Sequence, residues 1–85
     1  MGDGTVDRIN AVLFSLLSSE WTDEEAKDFN EYISVGENDV ASLHAFLLCQ
    51  KYEVSIPQEI RIPLYNVISG CGLEGTPEYK RLREN

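Results

Sequence analysis

An 85-residue chain that is 42% hydrophobic and 26% charged has the composition of one small globular domain and not of a disordered acidic tail. At this length it buries only about 60 to 65 per cent of its unfolded surface, around a single modest core. A net charge of −8 and a pI near 4.4 argue against nucleic acid or membrane as a direct partner, because gripping phosphate needs a basic footprint.

Basic proteins are the natural partners of such a chain. No apolar run approaches the roughly 20 residues that span a bilayer, and no basic stretch leads into an apolar one as in a secretory leader, so a cytoplasmic protein is expected. Outside a secretory context Cys49 and Cys71 read as reduced, core-filling thiols, not as a disulfide.

The first segment, Val6 to Ser19, puts Val6, Ile9, Val12, Leu13, Leu16 and Leu17 on one broad stripe, with Thr5 available as N-cap, and reads as a core helix. Ser18, Ser19 and Trp21 link it to the stretch from Glu20 to Asp39. That stretch holds eight carboxylates against the single base Lys27 and so carries seven of the eight net negative charges. Within it Thr22 and Glu25 stand in capping-box register, each side chain satisfying an otherwise orphaned backbone N–H. A helix over Asp23 to Ser34 follows. At about 100° per residue Ala26, Phe29 and Ile33 fall together with Tyr32 flanking, while Glu24, Asp28 and Glu31 cluster on the far side. Gly36 closes this helix by taking the left-handed conformation.

Asn38 is a good N-cap for a third helix through Tyr52, with Asp39 favourably placed at the positive end of its dipole. Val40, Leu43 and Leu47 form its inner seam, widened by Phe46 and Leu48. Ser55 and Gln58 repeat the capping-box spacing, with Pro57 in the first turn of a fourth helix. Ile60, Leu64, Val67, Ile68 and Cys71 form its buried comb. Pro63 removes a bond to the carbonyl of Glu59, so a kink or break is expected near Arg61 and Ile62. Gly70 and Gly72 end the helix. Thr76-Pro77-Glu78 then opens a short C-terminal helix anchored by Tyr79 and Leu82 and ending in the basic residues Lys80, Arg81 and Arg83. No stretch alternates long enough to be a strand. The expectation is one all-α domain over residues 1–85, a small antiparallel bundle of four to five helices.

Catalytic chemistry has little to work with. His44 is the single histidine, one step from Leu43, and reads as a boundary or core residue; on a helix it points about 140° away from Cys49, which leaves no nucleophile pair. Neither the ligand spacing of zinc or calcium sites nor a glycine-rich phosphate cradle is present, so no cofactor and no enzyme activity are expected. An acyl carrier protein would carry its arm at an Asp-Ser-Leu turn, whereas Ser42 follows Ala41 about one turn inside the third helix.

The run Glu31-Tyr32-Ile33-Ser34-Val35-Gly36-Glu37, the apolar helix from Val40 to Leu48, and Val54-Ser55-Ile56-Pro57-Gln58-Glu59 opening the next helix together resemble the small MafI-type immunity proteins of bacterial polymorphic toxin systems. In those chains a Tyr-Ile-x-x-Gly-Glu turn joins two helices, and a short Ile-containing turn starts the next. The resemblance spans about Trp21 to Leu73. It implies a protein made together with a toxin, often a nuclease, that holds the toxic domain inactive in the cytosol. Nucleases are basic where they grip a phosphate backbone, so an acidic surface can occupy the same site. Glu24, Asp28 and Glu31 are the candidate contacts, with Glu37 and Asp39 at the adjoining turn and Trp21 and Tyr32 as aromatic anchors. The free protein is expected to be a monomer or weak homodimer. The alternative is a small acidic adaptor that binds a basic peptide or homodimerises through an apolar groove.

Overall fold

The computed structural model describes residues 4–70 and 76–83. Over these the chain forms five helices and no strand: α1 (Thr5–Leu17), α2 (Asp23–Ser34), α3 (Asn38–Lys51), α4 (Gln58–Val67) and α5 (Pro77–Arg81). No described helix is long and apolar enough to cross a membrane.

Helix ends follow backbone geometry as much as side-chain caps. Gly4, not Thr5, caps α1: its φ of 79° is left-handed and costs glycine little, and its carbonyl accepts the Arg8 N–H at 2.9 Å. Thr5 is the first helical residue. At the other end the N–H groups of Glu20 and Trp21 both turn back to the carbonyl of Leu17, so α1 stops two residues short of Ser19.

The α2–α3 reversal is a Schellman turn. Gly36, at φ 80°, donates to Ile33 O at 3.1 Å and Glu37 to Tyr32 O at 2.8 Å. The turn is so tight that Glu37 becomes the N-cap of α3 and Asn38 the first helical residue, in place of the expected Asn38 cap. The C-terminus of α3 repeats the pattern, with Glu53 donating to Gln50 O and Val54 to Cys49 O. Here the left-handed position is taken by Glu53, at φ 54° the one non-glycine residue with positive φ among those described.

At the start of α4 no side chain caps the helix and Pro57 is the N-cap, so the capping box expected of Ser55 and Gln58 does not form. The turn is instead tied by Arg61, whose Nε donates to the carbonyl of Ile56 at 3.0 Å. Pro63 does not break the helix. It is the sixth helical residue, and the bond it forgoes is to a carbonyl of the first turn, at the exposed Glu59. Cys71 of the expected comb and the expected end at Gly72 lie outside the described residues, whereas Gly70 takes φ 89° just past the helix. In α5 the Thr76 side chain caps the Tyr79 N–H and Pro77 is the first helical residue, as the sequence predicts.

The core is one cluster to which every helix contributes. Ile9, Leu13 and Leu17 of α1 meet Ala41, Ala45 and Cys49 of α3, Ile60, Leu64 and Ile68 line α4, and Phe29, Tyr79 and Leu82 close the ends. Ala41, Ser42 and Ala45 are fully buried, and their small side chains let α1 lie close along α3, its main packing partner. Because α1, α2 and α4 all pack on α3, its buried face is rotated from the expected seam. Leu47 is 47% exposed and Val40 and Leu43 are half-buried, while Ala41, Ala45, Phe46, Leu48 and Cys49 face inward. A helix surrounded on three sides has no single apolar stripe for the sequence to reveal.

α5 docks on α4 through rings. Tyr79 stacks on Tyr65 with centroids 4.3 Å apart and donates its hydroxyl to the Tyr65 carbonyl at 3.3 Å. Burial pushes the Cys49 thiol up to about 11, so at neutral pH it is an inert core group.

The α1–α3 contact contains one buried polar pair. Ser42 Oγ donates to Asn10 Oδ1 at 2.6 Å, and Asn10 Nδ2 donates to the Asn38 carbonyl at 3.1 Å. Ser42→Ala strands the buried Asn10 oxygen, so urea unfolding should show a loss of about 1–3 kcal/mol with native helix content retained. A loss below about 0.5 kcal/mol would show that water or repacking satisfies the group instead.

Candidate protein-docking surface

The acidic helix begins where its capping box puts it. Thr22 Oγ1 accepts the Glu25 N–H at 3.1 Å, and Glu25 Oε1 accepts the Thr22 N–H at 2.9 Å. Glu25 does more than close its own helix. The same carboxylate accepts the Tyr52 hydroxyl on Oε1 at 2.5 Å and the Lys51 ammonium on Oε2 at 2.7 Å, both from the end of α3. Its side chain is 16% exposed, against 59% for Lys51. The Lys51 contact, the Tyr52 hydroxyl and the Thr22 N–H together hold its carboxyl at about 2 instead of the ordinary 4.5. The same contact raises the Lys51 ammonium, and the Tyr52 phenol is raised chiefly by the carboxylate it donates to.

Seven residues further on, Tyr32 sets its ring edge against His44, centroids 5.7 Å apart. Residue 25 therefore meets 51 and 52 while residue 32 meets 44, so α2 and α3 run antiparallel. Phe29, between the two contacts, is buried. The imidazole Nε2 of His44 is also buried and makes no hydrogen bond among the described residues, which leaves the ring a packing group, as expected of a boundary histidine.

With this side of α2 fixed against α3, the other side faces solvent. Glu24, Asp28 and Glu31 are all exposed, lie within about 60° of one another around the helix, and extend about 10 Å along it. Glu37 and Asp39 are exposed at the turn that follows, and Asp39 Oδ1 accepts the Val40 N–H at 3.0 Å. Among the described residues no ion pair reaches any of these five carboxylates. Arg83, just beyond the C-terminal helix, lies over the Tyr65 ring at 5.3 Å.

The two aromatic candidates have partners within the chain. Trp21 is half-buried at the α1–α2 corner, 5.2 Å from Phe14 edge-on and 5.4 Å from Phe29. Phe14 remains 39% exposed beside it, and both rings pack on the Phe29 side of α2, away from the face of Glu24, Asp28 and Glu31. Tyr32 is half-buried against His44. The role of Glu25 as a link between helices is the feature that sequence reasoning misses. The signal for it was its position about 100° round from Glu24, on the side of Phe29 and Tyr32 and away from the other acids.

The arrangement can attract and orient a positive surface. Among the described residues no three His, Cys, Asp or Glu side chains cluster as metal ligands would. Comparison of the chain with family models, with curated proteins and with solved structures found no match.

The Glu25 contacts have a pH signature. A carboxyl whose folded pKa lies below its unfolded value adds stability that is complete above about 4.5 and is lost as pH falls toward about 2. The thermal midpoint of the native protein should therefore drop through that window, and in Glu25→Gln the drop should be shallower and the midpoint at neutral pH lower. Parallel pH profiles for the two proteins would show that Glu25 does not couple α2 to α3.

Proposed function

We propose that the protein is an immunity protein of a bacterial polymorphic toxin system, which binds a basic toxin domain of nuclease type and holds it inactive through the outer face of α2. The observation that carries this reading is the set of exposed carboxylates Glu24, Asp28 and Glu31, grouped on one helix face and free of ion pairs among the described residues. Like charges at i,i+3 and i,i+4 cost a helix about 0.2–0.5 kcal/mol per pair. A partner with complementary charge relieves that repulsion on binding.

The resemblance of residues 21–73 to MafI-type immunity proteins supports the same reading. Glu37 and Asp39 extend the field to the neighbouring turn. Protection of a producing cell requires capture faster than damage, and a field of one sign raises association rates by about 10- to 1,000-fold at low salt. Contacts desolvated at the centre of the face would then set the lifetime of the complex, with rim charges acting mainly on its formation.

The test begins with the basic protein that co-purifies from the native host. Asp28→Lys with Glu31→Lys should leave the circular dichroism spectrum intact, slow association with that protein at least about tenfold, flatten its salt dependence and remove protection in co-expressing cells. Full protection by the doubly reversed protein would place the docking surface elsewhere.

A further inference from the structure

The acids of α2 share their side of the molecule with an apolar stripe on α3. Helical periodicity puts Val40, Leu43 and Leu47 within about 60° of one another. Leu47 is 47% exposed and Val40 and Leu43 are half-buried, while Val35, 71% exposed, stands in the turn at the Val40 end. The order of contacts around each helix shows where the stripe faces. On α2 it runs from Phe29, which meets Phe14 of α1, past Glu25 and Tyr32, which meet α3, to Asp28. On α3 it runs from Ser42, bonded to Asn10 of α1, past Tyr52 and His44, which meet α2, to Leu47. Both exposed stripes therefore lie opposite α1, side by side. Glu25 is level with Tyr52 and Tyr32 with His44, which brings Asp28 level with the Leu47 turn, and each stripe extends about 10 Å. Lys51, at the far end, is held by Glu25.

An apolar stripe edged on one side by carboxylates selects its occupant by charge. A second copy of this chain would bring the same acids, at a net charge of −8, to the same surface. A helix with apolar residues at i, i+3 or i+4 and i+7 and with lysines or arginines along one flank matches both stripes at once. Two packed helices present a shallow groove that takes the ridge of a third, and neither offers a strand edge for an extended chain. We propose that this side of α2 and α3 receives a basic amphipathic helix, its apolar face on Val40, Leu43 and Leu47 and its cationic flank toward Glu24, Asp28 and Glu31. This rests on the reading of α2 as a docking face and names the element of the partner that docks there.

The probe is a leucine–lysine peptide of about 18 residues with leucines at i, i+3, i+4 and i+7, beside an isomer whose leucines are spread evenly round the helix. Titrated into the isotope-labelled full chain, the first should give saturable amide NMR shifts centred on Asp28, Tyr32, Leu43 and Leu47, and the isomer should bind at least about tenfold more weakly. Leu47→Gln should keep native helix content and weaken the peptide about five- to tenfold. Asp28→Asn should weaken it about two- to fivefold, an effect that about 0.5 M salt removes. Ile62→Gln, at an apolar residue 54% exposed on α4, should leave the affinity unchanged. Equal affinity for the two peptides, shifts centred off α2 and α3, no saturable shift up to about 1 mM, or an unchanged affinity in Leu47→Gln would overturn the proposal. A dimer of the free chain that Leu47→Gln abolishes would also overturn it, since a second copy would then be the occupant. A basic toxin that is held through Asp28 and Glu31 but is indifferent to Leu47→Gln removes this proposal and leaves the immunity reading standing. Peptide binding at the stripe without any toxin being held supports this proposal and removes that reading alone.

Discussion

A single carboxylate joins the start of α2 to the end of α3. Glu25 completes the capping box with Thr22 while accepting from Tyr52 and Lys51, so the local signal that begins a helix is also the tertiary contact that orients it. Tyr32 against His44 fixes the other end of the same contact. Two attachments seven residues apart leave α2 no freedom to roll. The side that carries Glu24, Asp28 and Glu31 must then face away from the core.

The core tolerates this because α3 can be surrounded. Ala41, Ser42, Ala45 and Cys49 provide a narrow face for α1, Phe46 is buried beside it, and the Ser42–Asn10 pair joins the two helices where they meet. A buried hydrogen bond of this kind contributes little net stability, but an unmatched position of the helices would strand both groups at a cost of about 1–3 kcal/mol each.

Charge is divided across the molecule. Acids without ion pairs occupy the outer side of α2 and the turn beyond it, whereas Arg61 and Arg81 line an open cleft at the C-terminal helix. Neither region neutralises the other through an ion pair among the described residues. A folded chain of this size gains no stability from holding like charges together.

Much of this was legible in the residues themselves. The bounds of α2, its capping box, the glycine turn at Gly36 and the Thr76-Pro77 start of α5 depend on atoms within five positions of each other, and such local rules survive any tertiary context. The candidate acidic face was readable for the same reason, since helical periodicity alone separates Glu24, Asp28 and Glu31 from Phe29. What the sequence could not reveal were features made by distant segments. The buried face of α3 is defined by three neighbours, the start of α4 is held by Arg61 instead of by Ser55, and the cleft at the C-terminal helix exists only where residues 46 to 82 are brought together. Local hydrogen bonding and periodicity are properties of the chain. Which sides of a helix are covered, and which carboxylate is drawn into a contact, depend on where the other helices pack.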